Sequence, residues 1–304
     1  MNARPICLAF TSLTALILGA LIFAFWPNLA LAQQAKMKTF VTVLPQQYLV
    51  ERIGGDRVEV EALVGPGQSP HTYEPLPKQV ARLAEAQVYF RIGIPFEEQL
   101  LAKVKAVRKD MLVVDCRQGV KFRTLTKEEG ERGSQTDKDD RAGSPDPHIW
   151  LSPAALKVQA ATIFTALSGL DPGHRAEFEK NLASFNAQID ELDYQLAITL
   201  APFKGRSIFV FHPAFGYFAD TYGLKEVSVE IEGKEPSARQ IAALIDLAKK
   251  ERVKVIFAQP QFPQDRAKTI AEAINGKVEI IDDLAKDVPA NLQRIAAAIR
   301  GSML

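Results

Sequence analysis

Cysteine is nearly absent from the 304 residues: Cys7 and Cys116 are the only two. Cys7 falls in an N-terminal apolar segment, so removing that segment leaves Cys116 without a partner. An internal disulfide is then excluded even in an oxidising compartment. Cys116 closes the apolar run Met111-Leu112-Val113-Val114-Asp115 and reads as a buried thiol rather than a ligand or nucleophile. Histidine is scarce too, at four residues, and no H-x-x-x-H or C-x-x-C element occurs. The H-E-x-x-H helix of zinc proteases and the G-x-S-x-G turn of hydrolases are also missing. Excess charge of either sign is absent: losing Arg4 with the leader lowers the 37 basic residues to 36, matching the 36 acidic ones. A neutral chain offers no basic footprint for nucleic acid. After the N-terminus no apolar run approaches the length needed to span a bilayer.

What the N-terminus does have is an export pattern. Arg4 is the only charge in the first 32 residues, an apolar stretch runs from Ile6 to Trp26, and Ala30-Leu31-Ala32 follows the helix-breaking Pro27. That order describes a secretory signal peptide over 1–32, cleaved before Gln33, and a periplasmic mature protein. The alternative is an uncleaved N-terminal membrane anchor, since the apolar stretch is long enough to cross a bilayer.

The remaining length suits about two domains. β-rich runs alternate with helical patterns, the mark of an α/β protein with mainly parallel sheets. Strands are expected at 39–44, 58–64, 88–92 and 111–115, then at 207–211, 226–231, 254–258 and 278–281. Helices are expected between them, including 78–86 and 237–251, with Ser237 and Gln240 forming a capping box. Phe178, Leu182, Phe185, Ile189, Leu192 and Leu196 recur at spacings of four and three, giving one long apolar stripe. A helix over 172–201 would be about 45 Å long at 1.5 Å per residue, too long for an ordinary crossover. It reads as a rigid linker between an N-terminal lobe at 36–170 and a C-terminal lobe at 203–304. The segment 126–145 holds six acidic and four basic residues with Ala142 as its one apolar residue, and is expected to be a mobile loop.

Three histidines stand in distinctive surroundings. His71 lies in Ser69-Pro70-His71-Thr72-Tyr73-Glu74-Pro75, His148 in Asp146-Pro147-His148-Ile149-Trp150, and His212 in Phe211-His212-Pro213-Ala214-Phe215-Gly216-Tyr217. Asp282 follows the last expected strand. His71, His212 and Asp282 each come just after the carboxyl end of a strand, the edge where open α/β sheets bind ligands. Three imidazoles and one carboxylate make a closed tetrahedral set for Zn²⁺. A proline beside each histidine restricts the local backbone. Taken residue by residue, a lone histidine is more often exposed or part of a satisfied core; His174, at a polar helix start, reads as exposed. Asp282 alone reads equally well as a helix cap, with Asp283 competing for either role.

Taken together, the motifs resemble those of the zinc- and manganese-binding receptors of ABC importers, the ZnuA/TroA-like family, from Thr39 to about Arg300. The match rests on the three histidine motifs quoted above, on Glu232-Gly233-Lys234-Glu235-Pro236-Ser237 and on Ile281-Asp282-Asp283-Leu284. The resemblance implies two α/β lobes, each with a mainly parallel four-stranded sheet flanked by helices, joined by one long rigid helix. It implies metal held between the lobes by His71, His148, His212 and Asp282. It also implies a monomeric solute-binding protein, not an enzyme, that delivers Zn²⁺ to a permease in the inner membrane.

This sequence departs from the family pattern in three places. The loop 126–145 lacks the histidines found in many zinc-selective relatives. The usual Asp-Pro-Leu reads Asp282-Asp283-Leu284, leaving the carboxylate between Asp282 and Asp283. Lone Cys116 excludes the second-lobe disulfide of some zinc receptors. His212 stands where manganese-selective relatives tend to place Glu, and imidazole-rich sites suit Zn²⁺ better than Mn²⁺. Mn²⁺ remains the alternative cargo. The competing classes are an exported zinc-dependent hydrolase, with Glu74 as its base, and an adhesin or structural protein whose metal is incidental. Asp146 and Glu74 are candidates to support the ligands from behind.

Overall fold

The computed structural model describes residues 35–123, 145–230 and 237–304. The expected signal peptide over 1–32, nearly all of the loop 126–145 and the motif residues 232–236 lie outside the described residues. Lys36–Leu304 forms one compact unit.

The first lobe is built from β1 (Met37–Val41), α1 (Leu44–Gly54), β2 (Val58–Ala62), α2 (Pro77–Ala84), β3 (Val88–Arg91), α3 (Phe96–Val107) and β4 (Leu112–Asp115). Its strands are short, β-branched and aromatic, and all four pair in parallel in the order β2-β1-β3-β4. A parallel strand must be covered on both faces. Accordingly Val88, Tyr89 and Phe90 of β3 are fully buried. Pro45 and Pro77 open the first turns of α1 and α2, where a missing N–H costs nothing.

A single 3-10 turn, Ile149–Leu151, then leads into α4 (Pro153–Leu170), which Ser152 caps by accepting the Ala155 N–H at 3.3 Å. The long helix α5 follows at Arg175–Leu200, with separate 3-10 turns at Pro172–His174 and Ala201–Phe203. The sequence expectation of 172–201 therefore covers one helix and its two tightened ends. Phe178, Phe185, Ile189, Leu192 and Leu196 are buried along one face of α5, the stripe that the spacing predicts.

The second lobe comprises β5 (Ser207–Val210), α6 (Gly216–Tyr222), β6 (Lys225–Ser228), α7 (Ala238–Lys250), β7 (Val255–Ala258), α8 (Asp265–Ala273), β8 (Lys277–Ile280) and α9 (Val288–Met303). Its parallel strand order, β6-β5-β7-β8, repeats that of the first lobe. Ser237 caps α7 in a reciprocal box with Gln240, as the sequence implies. Each order reverses between the lobe's first and third strands, so each sheet has a crevice at the carboxyl ends there.

One hydrophobic cluster runs through both lobes. It joins Leu49 and Ile53 of α1, Leu156 and Ile163 of α4, the α5 stripe, Phe218 of α6 and Leu292 and Ile295 of α9. A smaller cluster covers the other face of the second sheet, with Phe209, Ile256, Leu244 and Ile270. The shared cluster makes α5 a spine packed on both sheets' helices rather than a bare rod. Cys116 is fully buried, and burial pushes its thiol well above the usual range. It behaves as core, as its apolar run implies.

Candidate metal centre

The three histidines of the sequence motifs converge. His71 lies in the loop after β2, His148 just before the 3-10 turn that starts α4, and His212 two residues beyond β5. One ring nitrogen from each lies within 4.8 Å of the other two. The His148 Nε2 stands 3.4 Å from His71 Nε2 and 3.3 Å from His212 Nε2. Two nitrogens bound to one tetrahedral zinc, each at 2.0–2.1 Å, sit about 3.3–3.4 Å apart. The spacing of these imidazoles already matches two edges of that tetrahedron. His174 stands apart, its Nδ1 2.7 Å from Asp171 Oδ2 at the start of the turn before α5.

Burial grades across the site. His148 and His212 are 4% and 5% exposed, whereas His71 is exposed. The inner pair thus forms a floor, and His71 stands on the solvent side. Its loop is fastened further along: the Tyr73 hydroxyl meets the Leu63 carbonyl at 2.6 Å and Gln79 Oε1 at 2.7 Å, and its ring packs on Phe96. Gly67, at φ +71°, supplies the left-handed turn the loop needs.

Each inner imidazole is held from behind by a buried carboxylate. His148 Nδ1 is 2.7 Å from Asp146 Oδ1, and His212 Nδ1 is 3.0 Å from Glu230 Oε2. An ionised carboxylate only accepts, so each Nδ1 carries the hydrogen and each Nε2 presents its lone pair to the cleft. Burial raises the Asp146 carboxyl, but His148, its hydrogen bonds and Arg123 outweigh that and hold it below the ordinary Asp value. Asp146 is the support that the sequence nominates. Glu74, the other nominee, is exposed.

The backbone at His212 is clamped as well. Its N–H donates to Gln259 Oε1 at 3.2 Å, and Gln259 Nε2 donates to its carbonyl at 2.8 Å. Phe262 stacks on the imidazole with ring centroids 4.8 Å apart. Trp150, 1% exposed, lies edge-on to His148 and donates its indole N–H to the Asp283 carbonyl at 2.6 Å. That bond ties the His148 turn of the first lobe to the Asp282-Asp283 turn of the second. Glu230, Gln259 and Phe262 were missed at the sequence level. Glu230 and Gln259 nonetheless stand one or two residues past β6 and β7, the same edge that drew attention to His212.

Asp282 is not part of the group within reach of one ion; among the described residues that group is the three histidines. Asp282 Oδ1 accepts the Leu284 N–H at 2.8 Å. Burial, then the charge of Asp283, pushes its carboxyl above the ordinary Asp value, with Leu284 and Arg294 pulling the other way. Asp283 is 2% exposed and its Oδ1 accepts from Gln261 Nε2. Of the adjacent pair, Asp283 is thus engaged in structure and Asp282 is the more open carboxylate.

Comparison with known proteins adds an independent line. A family model described as "Zinc-uptake complex component A periplasmic" matches residues 40–298. The chain is 28% identical over 257 residues to the high-affinity zinc uptake system protein ZnuA of Bacillus subtilis, covering 82% of this chain and 79% of that protein. It is 30% identical over 283 residues to the zinc-binding lipoprotein AdcA of Streptococcus pneumoniae, covering 88% of this chain but only 54% of that longer protein. Among solved structures, a ZnuA crystal structure superposes with a TM-score of 0.81 at 40% identity, covering 88% of this chain and 99% of that one. The periplasmic zinc-binding protein TroA of Treponema pallidum, 19% identical with a TM-score of 0.75 over 88% and 99% of the two chains, shares the fold.

Proposed function

The chain belongs to the family of periplasmic zinc-uptake components, and from this we propose that it is the solute-binding receptor of an ABC importer. In this reading it captures Zn²⁺ in the cleft between its lobes and delivers it to an inner-membrane permease. His71, His148 and His212 each give an Nε2, and Asp282 gives the fourth ligand once the ion draws the set together. The observation that carries the reading is the pair of Nε2 separations, 3.4 and 3.3 Å, made by rings whose Nδ1 atoms are already engaged.

The capture step follows from the exposure gradient. Metal arrives on the His71 side and settles against the two buried imidazoles, whose orientation needs no further ordering. Preformed ligands lower the entropic cost of binding. Three imidazoles favour zinc over the harder Mn²⁺. Export through the leader over 1–32 places the receptor in the periplasm, acting as a monomer; among the described residues no helix is long and apolar enough to cross a membrane. A transport role is also favoured over a zinc hydrolase by the carboxylates at hand. Asp146 and Glu230, the carboxylates against the imidazoles, are committed to holding the ligands rather than free to act as base on a metal-bound water.

The test is metal content and competitive titration of purified protein stripped of metal, with Zn²⁺ and Mn²⁺, beside the His212→Ala variant. One tight zinc equivalent, lost in the variant and poorly displaced by manganese, supports a zinc receptor. Preference for manganese changes the cargo and keeps the transport role. Absence of any stoichiometric metal overturns the proposal.

A further inference from the structure

Beside the imidazoles, one side chain of the first lobe reaches across to the second. Arg123 belongs to the first lobe, where its carbonyl accepts the Asp146 N–H at 3.0 Å. Its Nε donates to Asp220 Oδ2 on α6 at 2.8 Å, and its Nη1 reaches Asp146 Oδ2 at 3.4 Å. Its backbone N–H donates to the Tyr217 hydroxyl at 3.1 Å, and that hydroxyl donates to the Asp146 carbonyl at 2.9 Å. Tyr217, also on α6, therefore spends its one hydrogen and an acceptor site on the two residues that pair in the first lobe.

Two details argue against an incidental surface contact. The Arg123 side chain is 10% exposed and Asp146 is fully buried. Gly216, at the start of α6, is the surface on which the guanidinium rests: a Cβ there would lie 2.3 Å from Nη1 and 2.5 Å from Cζ. The Arg123–Asp220 pair contributes little stability on its own, since Asp220 is 61% exposed. Its consequence lies in what Arg123 touches next. Asp146 Oδ2 faces the guanidinium while Asp146 Oδ1 holds His148 Nδ1. Contact between the lobes and orientation of a ligand thus meet on one carboxylate.

We propose that Arg123 is a positioning residue for metal retention, latching the second lobe through Asp220 and Tyr217 to the carboxylate that orients His148. This rests on reading the histidine cluster as a metal site. With the latch closed, the His148 ring is fixed and the ion is held. A partner that separates α6 from Arg123 frees Asp146, loosens His148 and releases the ion without touching any ligand directly.

The experiment measures zinc dissociation from the purified protein into excess chromogenic chelator, together with zinc affinity by competition. The variants are Arg123→Ala, Gly216→Ala, their double, and Arg123→Lys. Gly216→Ala evicts the guanidinium while leaving Arg123 in the chain, and alanine favours the helix there. Both single variants should release zinc on the order of tenfold faster, the lower end for loss of a group behind a ligand. The double should be no faster than Arg123→Ala, because both changes act on one contact. Arg123→Lys, which keeps a charge but cannot serve both carboxylates, should recover part of the loss. Wild-type release in Gly216→Ala, or effects that add in the double, would overturn the latch. A failure of wild-type protein to bind zinc would instead strike the receptor reading beneath it, and the same titration reads that separately.

Discussion

His148 and His212 come from different lobes, 64 residues apart, yet their Nε2 atoms face each other at 3.3 Å. With both Nδ1 hydrogens committed to carboxylates, two lone pairs point into the same small space. Two such lone pairs repel each other, and a cation or a proton between them would relieve that repulsion. A cation bound there, as proposed, would take both lone pairs.

Zinc should accordingly stabilise the folded chain far more than ionic strength alone. At a free concentration one hundred times the dissociation constant, binding adds about 2.7 kcal/mol. For a chain of this size each kcal/mol moves the melting temperature by about 2–4 °C. A rise of about 5–10 °C on adding zinc, reversed by a chelator, is the expected outcome. Protons compete with metal for the same nitrogens, so the rise should shrink as the pH is lowered. A melting temperature indifferent to zinc at neutral pH would contradict the site.

The carboxylates behind the imidazoles should matter nearly as much as the ligands. Asp146→Asn and Glu230→Gln each keep the shape but lose the charge that anchors Nδ1–H. Each should weaken zinc binding by about 10-fold or more. They serve different rings, so the double variant should approach the product of the two losses. Competition against a fluorescent chelator measures this directly.

The fold was legible because its signals are local. Each of the eight strands is a short run carrying β-branched or aromatic residues, and each lies within three residues of its expected bounds; Ser237 and Gln240 announce the start of α7 by themselves. The histidines were legible as motifs, but their meeting followed only from the family resemblance, since it depends on the strand order β2-β1-β3-β4 and its repeat in the second lobe. Glu230 and Gln259 were invisible for a related reason. Glu230 reaches His212 only because β6 lies beside β5, and Gln259 because β7 lies on the other side. Arg123 is harder still: a lone arginine at the edge of a charged loop gives no hint that α6 would offer it a glycine floor.

Adjacent Asp282 and Asp283 should separate cleanly in their variants. Asp282→Asn is expected to weaken zinc binding while leaving the melting temperature of metal-free protein nearly unchanged, because its carboxylate is only half-buried and bonded to one backbone N–H. Asp283→Asn is expected to do the reverse. Its buried carboxylate accepts from Gln261, in a turn that Trp150 also holds. Isothermal titration beside thermal melts of both variants decides it, and equal zinc affinity in Asp282→Asn would remove that residue from the ligand set.

Glu97 offers a test of the scaffold of the first lobe. It is fully buried in the crevice between β1 and β3, where it accepts the Ile92 N–H at 3.0 Å, the Gly93 N–H at 2.6 Å and the Thr42 hydroxyl, with Tyr89 close by. Glu97→Ala strands two buried N–H groups and should cost about 2–4 kcal/mol. Burial, only partly offset by those hydrogen bonds and by Arg91, raises the Glu97 carboxyl above its ordinary value of 4.5. Below that value both folded and unfolded chains carry the proton. Just above it the unfolded chain has released the proton while the folded chain retains it, so the stability Glu97 confers falls as pH rises through the raised value. The gap between wild type and Glu97→Ala in urea unfolding should therefore be widest in acid and narrow toward a plateau near neutrality. A gap that widens with pH would mean that the hydrogen bonds overcome burial and hold the carboxylate ionised inside the lobe.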